Sequence, residues 1–565
     1  MPKPLPLRAV PIHRETIPSF LSRMAALNGV CSADFAVDMG FSLKRVIHLE
    51  ETVLRDLAAC GGLTDTQLEE LISWTGRGIG DVRMIFRGEF FVSRALRKPI
   101  IRGCPICLRE DIKTDSARPL TQMAMRGDWQ MREASLCITH RHPLVQLWEH
   151  RRPEDRYDFS LRFTGILEDI KDGRLERPRV TPSPYNWWLN ARLETGADHT
   201  WLAGQSLYAA TTFCTLLGSE LLRLKDPTGL DVAAHRQLAQ ATGFEIAHRG
   251  KAAIRDALTE LAALADGSND TPSKAFGRLF GNLSQINLSR DDFAQFRQIL
   301  RDCIVDIWPV AAGESVLGII QPERQLHSVV TAAREANIGS ALLEQFLVDA
   351  GAIDADDDRP TSRKTFKATA YADLLAEVPT LVGPTEMQRV MGATQAQLMS
   401  LAEDGVLAPR INIPTVNSPW RPTDGIALIA ELQELSVPIE PSDKRWEGIQ
   451  QAKKRSGARV GAIITSLREG KLQLGRRTDL EGYAGFCVLM EEIDQMSRQK
   501  QDPAELTFLT AAVFSRPVGM RTQGWFERLA AAGHTPATRR PHPKWGGVNG
   551  SMSLLLISTT FTDAF

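Results

Sequence analysis

The sequence predicts a mainly α-helical protein. An N-terminal helical module is tied by a Cys/His knot of ribbon or knuckle type, and helical and winged helix-turn-helix domains follow. Three observations lead there. Apolar residues recur at helical spacing over most of the chain. Two Cys/His pairs stand at metal-ligand spacing between Cys104 and His140. After residue 326, short helical stretches alternate with Gly-bearing turns.

The bulk properties set the frame. At 565 residues the chain is too long for one core, and its length suggests roughly three to four domains. Hydrophobic content of 43% and charged content of 24% fit a folded protein. A net charge of −1 is not that of a protein coating nucleic acid through bulk electrostatics, so any such contact must come from local basic surfaces. Met1–His13 has no apolar signal core, and no run approaches the ~18 apolar residues of a membrane span. Eight cysteines, mostly scattered singly, do not form a disulfide framework; the expected location is a reducing cytoplasm, away from membranes.

Taken in order, Glu15 to Ala25 reads as a short helix with Pro18 in its first turn and Phe20, Leu21, Met24 and Leu27 on one face. Asn28-Gly29 stops it. Ala33 to Trp74 is helical, and Met39-Gly40-Phe41-Ser42 resembles a helix-turn-helix turn before Leu43-Lys44-Arg45-Val46-Ile47. A packed helical hairpin fits equally well. Gly76-Arg77-Gly78-Ile79-Gly80 lacks the spacing of a nucleotide fingerprint and reads as a loop. Arg83, Arg87, Arg94, Arg97, Lys98 and Arg102, interleaved with Phe86, Phe90 and Phe91, form a candidate phosphate-contacting surface. Arg94, Arg97 and Lys98 are its predicted contacts.

Cys104-Pro105-Ile106-Cys107 is followed, with 29 residues between, by Cys137-Ile138-Thr139-His140. Two residues between ligands let one tight turn aim both side chains at one ion, and two such turns complete the tetrahedron that structural zinc prefers. A redox Cys-x-x-Cys would leave Cys137 and His140 unexplained, and four protein ligands close the position a catalytic zinc keeps for water. His142 is the alternative fourth ligand. Trp129, between the pairs, reads as the apolar anchor of the module, with base stacking as the alternative.

Three blocks then stand in order: Glu15 to Ala25 ending at Asn28-Gly29, Arg102 to Asp111, and Trp129 with Leu136 to His140. In these the chain resembles the TniQ family over about its first 160 residues; Asn186 to Leu189 and Leu326 to Ser328 resemble longer members less specifically. The resemblance implies a target-selection factor of transposition. Such a factor recognises a DNA site, or docks on a guide-RNA complex that does, and recruits an AAA+ ATPase regulator and a DDE transposase. It also implies that the zinc knot is a scaffold. Further Cys/His pairs carried by some relatives are missing after His140.

Arg151 to Pro184 is polar and Pro-rich and marks a boundary; Tyr185 to Pro309 has helical apolar periodicity. Asp354 to Asp358 reads as an exposed acidic linker, since its spacing does not match a calcium loop. Pro384 to Gly392 and Gln395 to Asp404 read as two helices, the first Thr-capped and closed by Gly392. Ala408 to Pro422 is a candidate β-wing carrying Arg410 and Arg421 around Trp420. Gln395, Gln397 and Ser400 on the second helix are residue types that bond base edges. Val329 to Ile353 and Thr510 to His534 look similar. Between them lies the densest basic interval: Lys453, Lys454, Arg455, Arg459, Arg468, Lys471, Arg476 and Arg477. After Thr538 the chain is expected to lack regular structure.

The expected partition is 1–160 (zinc module), 161–325 (helical middle), 326–380 (helix-turn-helix-like), 381–425 (winged), 426–500 (basic helical) and 501–565 (helix-turn-helix-like, irregular tail). The expected function is that of a zinc-containing, DNA-binding target selector that marks the insertion site and recruits the transposition ATPase and transposase. The alternatives are a protein adaptor between the ATPase and a guide-RNA complex, and a transcription regulator with the same front end. A homodimer is left open. No Gly-x-Ser-x-Gly, phosphate loop or His-Glu-x-x-His is present, so no enzyme is expected.

Overall fold

The computed structural model describes residues 3–80, 82–150, 157–225, 231–413, 416–417, 419–499, 508–510, 532, 537–541 and 553–558. It is mainly helical and divides into two compact units, one of residues 1–335 and 351–371, the other of 336–350 and 372–565. Among the described residues no helix is long and apolar enough to cross a membrane.

In the first unit, Ile17–Leu27 is helical, with Pro18 in its first turn. Thr16 accepts the Ser19 N–H, which satisfies one of the four amides a helix start leaves unpaired. Ile17, Phe20, Leu21, Met24 and Ala25 are buried, and Asn28 with Gly29 (φ 75°) ends the helix. Its core also encloses an ion pair: Arg23 donates to Glu15 at 2.7 Å, and Ser19 Oγ donates to the same carboxylate. Burial raises the Glu15 pKa, against the pull of Arg23.

Gly76 to Gly80 does not remain a loop. Arg77–Ile79 pairs with Arg83–Phe86, which pairs with Glu89–Val92, all antiparallel. Arg87 and Gly88 (φ 50° and 76°) make the tight hairpin turn. The edge strand is exposed throughout and carries no apolar alternation, so only its pairing partner makes it a strand. Leu43–Ile47 is a five-residue helix whose Arg45 is held by Glu50 and Thr52.

One apolar cluster runs from Trp74 to Leu317, so the Cys-bearing module and the helical middle share a core. Its main helices, Leu207–Lys225 and Val232–Ala247, touch backbone to backbone. A Cβ on Gly218 would fall 1.8 Å from the Ala239 carbonyl oxygen, and one on Gly243 would fall 1.8 Å from that of Cys214.

The second unit carries helices Pro384–Met391, Gln395–Glu403 and Pro422–Leu435. Among the described residues of the expected wing at 408–422 there is no strand, only a lone bridge between Val382 and Trp420, and the next helix begins at Pro422. The predicted Thr cap of the first helix is likewise replaced by Gly383, with Pro384 opening the helix.

The 426–500 stretch, expected to be helical, carries helices and also a four-stranded sheet. Ser436–Ile439 lies parallel to Leu474–Arg477, which is antiparallel to Phe486–Leu489, which is antiparallel to Trp446–Gly448. Helices Ile449–Ser456 and Val460–Arg468 connect the last of these strands to the Leu474–Phe486 hairpin. A core of Met387, Met391, Leu398, Leu401, Ile449, Ile463 and Val488 joins both helix pairs. The turn of one pair also seats on the hairpin of the other: Ala484 N donates to Gly392 O at 3.0 Å, and a Cβ on Gly392 would meet Gly482 at 2.9 Å.

A spacing recurs three times along the chain. Helices begin at Val329, Pro384 and Ile449; eight residues later each has a left-handed residue, Asn337, Gly392 and Gly457. Two residues further stand the caps of the next helices, Gly339, Thr394 and Arg459. A positive-φ glycine follows each second helix, at Gly351, Gly405 and Gly470.

The tail is not irregular throughout: Phe508–Thr510 and Ala537–Pro541 flank Ser553–Ser558 in an antiparallel sheet. The predicted unit from Thr510 to His534 lies, but for Thr510 and Ala532, outside the described residues.

Candidate metal centre

Strand Ile100–Gly103 runs antiparallel to Val145–Glu149 and delivers Cys104 to the start of helix Pro105–Ile112, whose first turn holds Cys107. The two-residue pairing of Leu136–Cys137 with His142–Pro143 closes a tight turn, with Arg141 left-handed (φ 53°), that presents Cys137 and His140. The four donor atoms lie within 4.8 Å of one another. Cys107 Sγ is 3.7 Å from Cys137 Sγ and 3.2 Å from His140 Nδ1; Cys104 and Cys137 Sγ are each 3.6 Å from Nδ1. A tetrahedral zinc with ordinary Zn–S and Zn–N bonds sets its donors roughly 3.5–3.8 Å apart. The donor set therefore fits that ion.

The electrostatics ask for a cation too. Hydrogen bonds from Cys104 and Cys107 hold the Cys137 thiol far below the usual range, and hydrogen bonding to Cys104 and Cys137 pushes Cys107 far above it. Three sulfurs this close cannot all ionise until a positive charge sits between them.

Residues 6–144 match the TniQ family model. This N-terminal stretch is similar to the TniQ family. No curated protein matches the chain.

Within this TniQ-like region, His140 turns Nδ1 to the sulfurs and Nε2 to Glu110, at 2.8 Å. That carboxylate fixes the tautomer and orients the ring. His142, the alternative ligand, is committed elsewhere: its Nδ1–H donates to Pro143 O at 2.6 Å, and its Nε2 accepts the Arg177 N–H at 2.7 Å. Trp129 is buried and packs on Gly103, where a Cβ would meet its ring at 2.9 Å, so it anchors the module and is not free to stack on a base. Arg126 lies over the same ring at 5.1 Å and makes a two-pronged ion pair with Asp111. Glu110, Arg126 and Gly103 were not singled out as functional in the sequence. Gly103 and Glu110 lie within the Arg102 to Asp111 block, and Arg126 lies outside it.

Of the predicted DNA contacts, Arg94 is exposed, while Arg97 and Lys98 are half-buried. Burial, with Arg102, Arg132 and Arg236 nearby, lowers the Lys98 pKa to about 7. Arg87, from the same basic run, is tied to Trp74, Ser73 and the Leu193 and Glu194 carbonyls.

In the second unit Gln395 is exposed. The Gln397 side chain caps its own helix by accepting the Thr394 N–H at 2.7 Å. Ser400 is buried beneath Gln450 and Lys453, at 3.1 and 2.9 Å. Arg410 pairs with Glu377 and Asp349, and Arg421 with Glu377. Lys453 lies 3.6 Å from Glu403, and Arg455 pairs with Glu447 and Asp494. Arg468, Lys471 and Arg477 also have carboxylate partners. Among the described residues of this basic interval, Lys454, Arg459 and Arg476 are exposed and make no ion pair.

Proposed function

We propose that the protein is a DNA-binding target selector of transposition, with its reader at residues 446–489. The carrying observation is topological and electrostatic together. A strand, two helices and a hairpin, with the first strand pairing to the last, is the order of a winged helix-turn-helix. The unpaired cations Lys454, Arg459 and Arg476 sit in the last turn of its first helix, at its second helix cap and on its hairpin. In such a reader the second helix enters the major groove with its N-terminal residues at base edges, and the wing meets phosphate. Val460–Arg468 is that helix, with Arg459 and Thr465 facing outward. The unit at 381–425 suits bracing better, because Gln397 and Ser400 serve its own fold. Zinc holds the TniQ domain together, and the family resemblance supplies the next step: recruitment of the AAA+ regulator and transposase.

Selection from a random DNA pool at physiological salt tests this reading. The full chain should enrich one motif, and the Arg459→Ala/Arg476→Ala variant should lose it.

The adaptor is the second reading. On Gln395–Glu403 the exposed face carries Met399, 47% accessible, and Glu403, with no cation. Such a face suits a protein partner. If the full chain enriches nothing, the adaptor reading takes over.

A further inference from the structure

The first unit has a cleft of about 550 Å³ walled by Phe91 to Ala95, Met131 to Glu133, the Leu207–Lys225 and Val232–Ala247 helices, and Arg278 to Ile286. Four arginines line it: Arg94, Arg132, Arg236 and Arg278. Glu133 is the one carboxylate on the wall, and it is already held by Arg236 at 2.6 Å, Gln240 at 3.0 Å and Thr215 at 3.0 Å. Arg94, Arg132 and Arg278 are exposed and make no ion pair among the described residues. The cleft is therefore a concentration of positive charge with its only countercharge committed.

The backbone is also bent there. Helix Pro272–Gly281 breaks at Gly277 (φ 44°, ψ −120°), and one π-helical turn, Asn282–Ile286, follows. The amide of Arg278 is taken up by the buried Glu220 carboxylate at 2.7 Å. A Cβ at residue 277 would fall 2.6 Å from that carboxylate, so the bend requires glycine. Strain of this kind persists where surrounding structure enforces it, and π-turns cluster at functional sites.

We propose that this cleft binds the phosphate backbone of a nucleic acid, with Arg94, Arg132 and Arg278 as the contacts. Guanidinium forks match phosphate oxygens two at a time. A phosphodiester strand presents acceptors only, which suits a wall of arginines whose one carboxylate is occupied. An acidic peptide would bring backbone N–H groups that need acceptors of their own. The contact is sequence-independent, and it rests on the DNA-binding reading for its occupant but not on the reader at 446–489.

The test uses the zinc-loaded full chain and a duplex lacking any selected motif. Affinity is followed from low to high salt for the wild type, for Arg94→Gln, Arg132→Gln and Arg278→Gln singly, and for the triple variant. Each phosphate contact removed should flatten the log–log salt slope by about 0.9, and the triple variant by roughly 2.7. The Arg459→Ala/Arg476→Ala protein should instead lose motif preference, so failure of the reader and failure of the cleft are separable. A photo-crosslinking side chain at Val232, 88% exposed on the cleft wall, should yield a DNA adduct even if the triple variant folds poorly. An unchanged slope in every variant, no adduct at Val232, or stronger capture of polyglutamate than of DNA at equal charge would each overturn the proposal.

Discussion

Replacing Glu110 by alanine separates the metal from the fold around it. The side chain is 52% exposed and touches the centre through one bond, from His140 Nε2 at 2.8 Å, so its loss opens no cavity. What it removes is the acceptor that keeps the proton on Nε2 and leaves Nδ1 free to ligate. Losing such a partner typically weakens metal binding 10–100-fold. Here water can reach the freed Nε2–H, so the effect should fall at the low end, about tenfold or ~1.4 kcal/mol. Glu110→Gln, which keeps a carbonyl acceptor, should recover most of it. Competition of the purified chain against a chromogenic chelator reads the zinc affinity directly. At saturating zinc the melting temperature should match the wild type, and only under chelation should the variant unfold earlier. A Glu110→Ala zinc affinity within twofold of the wild type would refute the assignment of His140 Nδ1 as a ligand supported from behind.

Four further outcomes follow from the geometry. Cys107→Ser should abolish stoichiometric zinc and, because one apolar cluster runs from Trp74 to Leu317, destabilise the helical middle too; two calorimetric transitions of which only one moves would contradict this. Gly243→Ala should destabilise despite its better helix propensity, since a Cβ 1.8 Å from the Cys214 carbonyl oxygen forces two helices apart; a cost of about 1–3 kcal/mol is expected in denaturant titration. Gln397→Ala should cost roughly 0.5–2 kcal/mol of stability through its cap while leaving the selected DNA motif unchanged, whereas Arg459→Ala should relax one motif position. Lys98, at about 7 against an ordinary 10.5, binds fewer protons folded than unfolded between those values; stability should rise with pH across that window, and DNA binding in the adjoining cleft should take up a proton near pH 7.5, seen as buffer-dependent heat.

The candidate metal ligands were legible because each pair is a local matter: two residues of spacing fix which side chains one turn can aim. Glu110 was not, because its role depends on a ring thirty residues away. The N-terminal helix was readable from Pro18 and Asn28-Gly29, which act on their own turns. The hairpin at 474–489 was not, since its strands are four residues each and gain their identity from the Trp446–Gly448 strand across the sheet. The same limit hid what else engages the candidate DNA contacts. Gln397 and Ser400 are chemically suited to base edges; the Thr394-x-x-Gln397 capping box is local, whereas nothing near Ser400 in sequence reveals that Lys453 engages it. Charge density was a similarly partial guide, because the carboxylates that neutralise Arg410, Arg455 and Arg468 come from distant segments.

The seating of Gly392 against Gly482 has a consequence for how the C-terminal half can change over time. Two copies of one building pattern are fastened at a joint that admits no side chain on either face. The joint holds their relative orientation, so each outer surface is free to drift without loosening the other. One copy presents cations while the other presents an apolar, acidic face, as Arg459 and Met399 illustrate. A duplicated part that stays locked to its twin is thus a ready source of new specificity, provided that the two glycines are left alone.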